Sequence, residues 1–350
     1  MSDIDLSEYD SELVSELWSI ELDDYIIDLA ISPDSNKLVA ATVEGSVFLI
    51  DNQGDSAQST LIGQHANGIN SVSWRSDGAE FATAGQDGLV KIWDGISGKV
   101  LSTLEAGNSW VGKVVYNHHR NILATAAGKH LKLWDEQYEI IYESSDHAST
   151  IADVAWSPNG SEIAVAAYGG VTRHKPDQKN SIKKYTWKGS SLAMAWSPDG
   201  KYISTGEQDL TVHFWNVKTG EDAQMSGFSS KALELSWSTN GRWLITGGGI
   251  DICLWDCSGK GPVGRTPRQY AGHYNKVTQL GFQPDGDLLA STDADSFLFM
   301  WDPIKHEKII GGAKFSAPAS SLQWSHEGKL AIGHENGKVR LLEVNSIAEK

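Results

Sequence analysis

A carboxylate, an imidazole and a hydroxyl in hydrogen-bond order make a serine nucleophile, and this chain spells the ingredients in two places. Leu288–Asp302 reads LLASTDADSFLFMWD, with a serine, aspartates and a terminal Trp-Asp pair, and a histidine stands upstream. Phe81–Asp94 reads FATAGQDGLVKIWD, with threonine as the hydroxyl and again a histidine before it. Acyl-transfer chemistry would need an accessible hydroxyl, a base within reach and an oxyanion hole. A single active site has no reason to be written twice, so the elements that position these residues come next.

The repetition runs the length of the chain. Eight segments combine an anchor residue, a polar turn and an apolar run: ISPDSNKLVAA, WRSDGAEFATA, YNHHRNILATA, WSPNGSEIAVA, WSPDGKYISTG, WSTNGRWLITG, FQPDGDLLAST and WSHEGKLAIG. The anchors are Ile31, Trp74, Tyr116, Trp156, Trp196, Trp237, Phe282 and Trp324, at spacings of 43, 42, 40, 40, 41, 45 and 42 residues. Before an anchor the pattern alternates, as in INSVSW, which reads as a half-buried strand. SPDG is a tight turn: proline presets φ, and Asp and Gly accept the backbone that follows. A second strand (KYIST), a short turn (GEQD), a third strand (LTVHFW) and a less regular fourth complete a unit. Four strands in about 42 residues cannot cover both of their faces alone, and radial packing covers all such sheets together.

At 350 residues the chain suits two average domains or one large all-β domain. Its 35 glycines and 14 tryptophans fit many tight turns between bulky strands. A net charge of −16 argues against general affinity for nucleic acid or an anionic membrane; it suits a basic partner or simply an acidic surface. Cys253 and Cys257, four residues apart in DICLWDCSG, make neither a disulfide framework nor a zinc site, and read as a core thiol and a surface thiol. The opening MSDIDLSEYDSELVSELW has no basic n-region, and no run approaches the roughly 20 apolar residues of a membrane helix. The expected compartment is the cytoplasm.

The period, the turn and the Trp-Asp ends (Trp93-Asp94, Trp134-Asp135, Trp255-Asp256 and Trp301-Asp302, with Trp215-Asn216 as a variant) resemble the WD-repeat β-propeller family over roughly residues 15–345. The resemblance implies an all-β ring of four-stranded blades. Eight anchors predict eight blades, with seven plus a degenerate unit as the alternative. The last unit ends at SIAEK without a fourth strand, while LVSELWSIEL, residues 13–22, precedes the first anchor with no blade of its own. That N-terminal strand is expected to complete the last blade beside KVRLLEV and so remove an open edge. The expected organisation is an acidic tail at 1–12, one propeller domain at 13–345 and a C-terminal tail at 346–350.

In that family a histidine before the first strand, Ser or Thr in the second, Asp in the turn and Trp in the third staple a blade together. Carried over, the second unit offers His65, Thr83, Asp87 and Trp93, and the seventh offers His273, Ser291, Asp295 and Trp301. The set occurs twice, tolerates Thr and has a natural fourth member in the donor-only indole. It therefore reads as a structural tetrad, and no catalytic residue is predicted. The fifth unit keeps Thr205, Asp209 and Trp215 but has Trp187 at the histidine position. The fourth keeps His147 but loses its Asp and Trp, running AYGGVTRHKPDQKN.

The architecture puts the turn between second and third strands on the same face as the loop leading into the first strand. Family members usually bind partners on that top face. Expected there are Tyr25, Trp110, Lys231 and Lys276 before first strands, Gln86, Tyr168 and Gln208 in the opposing turns, and Tyr274 beside Lys276. Trp110 resembles a partner-binding tryptophan position of G-protein β subunits, and exposed Trp and Tyr are favoured interface anchors. His118 and His119 fall on the bottom face and His130 on the top, too far apart for one metal. His306, His326 and His334 are scattered and read as solvated, and neither metal nor cofactor is expected.

Residues 173–188, RHKPDQKNSIKKYTWK, hold six Lys or Arg and one Asp, whereas 1–36 hold eleven acidic residues and no Lys or Arg. The basic run reads as a charged edge strand that blocks sheet-to-sheet pairing, with docking of an acidic partner as the other reading. The expected function is a non-catalytic scaffold, monomeric on its own, that holds a protein or peptide on its top face. The alternative is a small molecule or ion in the axial channel, or an accessory role in a cofactor- or metal-handling system. Small apolar residues along the channel fit the scaffold; converging carboxylates or histidines fit a ligand site.

Overall fold

The computed structural model describes residues 13–145, 147–259 and 261–345, in which every regular element is a β-strand. The predicted tails at 1–12 and 346–350 lie outside the described residues. A typical unit is the second, where Ile69–Trp74, Glu80–Gly85, Leu89–Asp94 and Val100–Glu105 pair antiparallel in that order. First strands neighbour one another around the axis, and fourth strands form the rim. The turn after a first strand closes on itself: Gly200 N donates to Ser197 O (2.8 Å) and Ser197 Oγ to Asp199 (2.7 Å). Short polar side chains thus hold the turn that the proline begins.

Consecutive units share each core. Val39, Ala41, Val47 and Leu49 of the first pack against Ile69, Val72, Trp74, Phe81 and Trp93 of the second. Anchor indoles cross the same gap: Trp74 Nε1 donates to Ala30 O (3.1 Å), Trp156 to Val115 O (3.2 Å), Trp196 to Ala155 O (3.1 Å) and Trp324 to Gly281 O (2.9 Å). An indole N–H buried in this gap needs an acceptor, and the preceding first strand supplies it. Val14–Glu21 lies antiparallel to Lys338–Val344, in register from Val14 opposite Val344 to Glu21 opposite Lys338. Trp18 and Leu22 then join Ala331 and Val339 to Ile26 and Leu29 in one cluster across the closure.

The expectation of eight separate four-stranded blades is overturned. The described strands form seven sheets, six of four strands and one of six. Counted by continuous sheet, the propeller has seven blades, as in the alternative reading. The merger lies where the fourth unit has lost its staple residues. There the chain runs from the rim of that unit into the first strand of the fifth as one 14-residue strand, Lys183–Trp196.

Beside it, Ile163–His174 doubles back at Gly169 and Gly170, whose φ of +93° and +103° are what a two-residue hairpin turn needs. Arg173 pins this reversal, its Nη2 lying 2.6 Å from Glu162 Oε2. In a straight strand the two residues would stand roughly 36 Å apart. Arg173 is therefore tied inward, while Lys183, Lys184 and Lys188 remain exposed along the basic stretch.

A Cβ on Gly170 would collide with the Tyr185 carbonyl, whereas Gly54, also at positive φ (+88°), has open space around it. Gly170→Ala is expected to cost ~2 kcal/mol or more, and Gly54→Ala distinctly less, in urea unfolding followed by tryptophan fluorescence. Equal losses would refute the hairpin's close approach.

Candidate interaction face and axial channel

In the second unit the four side chains meet. Trp93 Nε1 donates to Thr83 Oγ1 (2.9 Å), Thr83 Oγ1 lies 2.8 Å from His65 Nε2, and His65 Nδ1 lies 3.1 Å from both Asp87 oxygens. Asp87 also accepts from the backbone N–H groups of Ala66 and Leu89 (3.1 Å each). An indole only donates and a carboxylate only accepts, so the protons run one way: indole to hydroxyl, hydroxyl to imidazole, imidazole to carboxylate. Burial holds the His65 imidazole below its ordinary pKa, against the pull of Asp87. The order is that of an activated nucleophile, but Thr83 and Ser291 have no exposed surface. A substrate has no path to either hydroxyl in this fold.

The seventh unit differs from the sequence reading in one member. Trp301 Nε1 donates to Ser291 Oγ (2.8 Å), which lies 2.7 Å from His273 Nε2, but His273 Nδ1 meets Asp293 (2.7 Å) and not Asp295. Asp293 follows Ser291 by two residues, so strand alternation puts both on one face. The second unit has Gly85 at the matching position, where a Cβ would run into His65 Nδ1. Without a side chain there, the turn aspartate Asp87 can reach the imidazole. With one, Asp293 takes the place and Asp295 is left outside, accepting from Asn275 (3.1 Å). The fifth unit fills the same position with buried Glu207, which accepts from Thr205 (2.6 Å) and Ser191 (2.8 Å), while Asp209 bonds Thr211. Trp187 packs on His213, ring centroids 4.0 Å apart.

Two further expectations are corrected. Cys257 is buried like Cys253, because its backbone N–H is drawn under Arg242 O (2.7 Å) into the cluster with Trp237 and Trp255. Burial pushes the two thiols up, to about 12 and about 11. His334, expected in solvent, is 1% exposed. It ends a second strand at the position matching Gly85 and points its Nδ1 at Ala317 O (3.0 Å).

The three exposed aromatic side chains among the described residues all belong to top-face loops: Trp110, Tyr168 and Tyr274, with 65%, 52% and 70% of their surface open. Val43, Leu210, Leu233 and Ile250 are exposed on the same face. On the opposite face, among the described residues, only Ile96, Ile182 and Val263 are comparable, all in turns between third and fourth strands. Tyr25, Lys231 and Lys276 come together at the channel mouth, where they line a cavity of about 210 Å³ with Leu233, Glu234, Ser320 and Glu335. Trp110, Tyr168, Gln208 and Tyr274 do not line it and are spread around the face. Gln86 is also outside it, bonded to Asn70 (3.1 Å).

The sequence reading passed over the channel wall. Three residues before their anchors, the first, fourth and sixth units carry Asp28, Asp153 and Glu234. Asp28 accepts from Val72 N (2.8 Å), Asp153 from Met194 N (2.9 Å) and Glu234 from Leu280 N, each in the next first strand. The third unit has Lys113 at this position, 3.6 Å from Asp153. Burial raises all three carboxyls, Glu234 to about 7, while Asp153 raises the Lys113 ammonium. Lys113 sits deep yet keeps 45% of its side chain open, since it projects into the channel. Nearer the bottom, Asp28, Lys113, Asp153, His118 and His326 border a cavity of about 740 Å³. Among the described residues no three metal-binding side chains stand close enough to hold an ion. The signal that would have found this wall was a fixed offset from each anchor.

A sequence model described as the IFT122 first beta-propeller matches residues 25–261, and one described as the WD domain, G-beta repeat, matches residues 264–302. The chain is similar to cell division cycle 20.1, cofactor of APC complex, of Arabidopsis thaliana: 26% identical over 337 residues, 88% of this chain and 70% of that protein. It is also similar to the WD repeat-containing protein slp1 of Schizosaccharomyces pombe, 24% identical over 293 residues, 80% of this chain and 59% of that protein. In fold it is similar to the crystal structure of the computationally designed Ika8 protein, with a TM-score of 0.80 at 19% identity over 93% of this chain and 98% of the other.

Asp293→Asn is expected to cost about 2 kcal/mol of stability and Asp295→Asn less than ~0.5 kcal/mol. Reversed sizes in denaturant titrations would restore Asp295 as the histidine's partner. Burial also holds His174, bonded to Tyr142 (2.7 Å), and His334 down at about 4. The unfolded chain takes protons on these groups near 6.5 and the fold does not until about 4, so their stabilising effect is complete above 6.5 and is lost as pH falls towards 4. Between pH 7 and 5 the wild type should lose several degrees more in Tm than His174→Gln plus His334→Gln. Parallel curves would refute that assignment.

Proposed function

The chain belongs to the WD-repeat β-propeller family described as the IFT122 first beta-propeller, and on that footing we propose that it is a non-catalytic platform holding a protein or peptide on its top face. One observation carries this reading: Trp110, Tyr168 and Tyr274, from separate units, are exposed on the same face. Large aromatic side chains of this kind anchor interfaces at little conformational cost. Tyr25, Gln86, Gln208, Lys231 and Lys276 supply polar contacts around them. The His65, Thr83, Asp87, Trp93 set and the His273, Ser291, Asp293, Trp301 set are, on this reading, staples that keep the top-face turns in place. The Arabidopsis relative is by name a cofactor of a larger complex, a role exercised through binding, which supports a binding role here. The platform works as one propeller domain over 13–345, in the cytoplasm.

A second reading rests on the lower cavity of about 740 Å³, whose carboxylates and histidines suit a small polar ligand. Asp28 and Asp153 are already engaged by backbone N–H groups, and Asp153 by Lys113 as well, so the platform reading stands first.

Affinity capture from a native extract, read by mass spectrometry, tests the platform. Proteins held by the wild type should be lost by Trp110→Ala plus Tyr168→Ala and kept by Ile96→Ser on the opposite face, with circular dichroism confirming that each variant is folded. Retention of the same set by the aromatic variant would overturn the reading.

A further inference from the structure

Resting on the top-face reading, we infer that the cavity at the channel mouth receives the side-chain carboxylate of an aspartate or glutamate in an extended partner peptide, with apolar residues on either side of it. At about 210 Å³ the cavity is smaller than a drug-sized site of roughly 300–1,000 Å³ and suits one side chain. Lys231 and Lys276 reach it from the loops before two consecutive first strands. Neither ammonium lies within ion-pair distance of a carboxylate among the described residues, although the chain carries a net charge of −16. Two lysines outside any ion pair among the described residues, and facing one hollow, make it a local positive site.

The two acids in the wall do not cancel this charge. Glu335, in the turn after Leu330–His334, lines the cavity together with Tyr25 and acts electrostatically on that phenol. Glu234 forms the floor, held by Leu280 N, and burial brings its carboxyl to about 7, with Lys113 and Lys276 drawing it down and Asp153 pushing it up. In its protonated form it carries no charge against an incoming carboxylate and can donate one hydrogen bond. Leu233, in the cavity wall, is exposed, as are Ile250 and Tyr274 in top-face loops of the same two units, giving the residues that flank the acid an apolar seat. No arginine fork lines the hollow, which favours a carboxylate over a phosphate.

The test uses the full chain on an array of capped nonapeptides with Glu, Asp, Gln, Lys or phosphoserine at the centre and Leu, Ile, Phe or Tyr on both sides. Central Glu or Asp should bind about tenfold tighter than Gln, and Lys231→Gln plus Lys276→Gln should erase that preference. Trp110→Ala plus Tyr168→Ala should weaken acidic and neutral peptides alike. Equal binding of Glu and Gln, a preference that survives in the lysine variant, stronger binding of phosphoserine, or no binding at all would overturn the inference. Binding indifferent to the lysines but dependent on Trp110 and Tyr168 would sink it and leave the top-face reading standing. Binding indifferent to both pairs would sink the two together. Circular dichroism and Tm confirm that each variant folds.

Discussion

A sheet of four short strands has two apolar faces, and a unit of about 42 residues has nothing of its own with which to cover either. The rest of the structure follows from that shortage. Each unit borrows its covering from the next, so that Trp74 and Phe81 complete a core begun by Val39 and Leu49. The borrowing includes polar groups. Indoles reach back to the preceding strand, as Trp74 does to Ala30, and carboxylates reach forward to the following one, as Asp28 does to Val72. A ring is the arrangement in which no unit is left uncovered.

Two systems of buried polar contacts then divide the work. Chains of the Trp93, Thr83, His65, Asp87 type lie within a unit and tie its third strand to the loop leading into its first. Asp28, Asp153 and Glu234 lie between units and tie first strands together around the axis. In both, a group that can only donate, an indole or a backbone N–H, and a carboxylate that only accepts fix the direction of the hydrogen bonds. Their common effect is to hold the top-face loops still. On the platform reading, Tyr274, next to the stapled His273, is presented on a loop that has little ordering left to lose on binding.

Much of this was legible in one sequence because it depends on period. The anchors from Ile31 to Trp324, the closing strand at Val14–Glu21 and the spacing of Thr83, Asp87 and Trp93 all recur or alternate at fixed intervals. What escaped depends on neighbours that period does not reveal. Asp295 kept the spacing of Asp87, but the residue two before it changed from glycine to aspartate, and the nearer carboxylate took the imidazole. His334 and Cys257 looked like loop residues because each stands at the end of a strand, and tertiary packing buries both ends. The merged sheet was hidden because its cause is the absence of a break between Lys183 and Trp196. The channel wall was periodic too, but its position carries Asp, Ser, Lys, Ala, Glu and Gln in different units. A conserved place with varied chemistry does not look like a motif.

The antiparallel closure of Val14–Glu21 on Lys338–Val344 sets an order on the molecule's assembly. A ribosome makes Val14–Glu21 long before its partner Lys338–Val344. Until that partner is made, Trp18 lacks the Ala331, Val339 and Leu341 side of its core, and the last blade lacks the strand that joins it to Val14–Glu21. Local hairpins are free to form as they emerge, but the seam waits for contacts of the longest sequence separation in the chain, the kind that forms slowly and leaves edges exposed meanwhile. The ring is therefore committed late and all at once, and a nascent chain stalled before Lys338 holds every other blade without the one that makes them a circle.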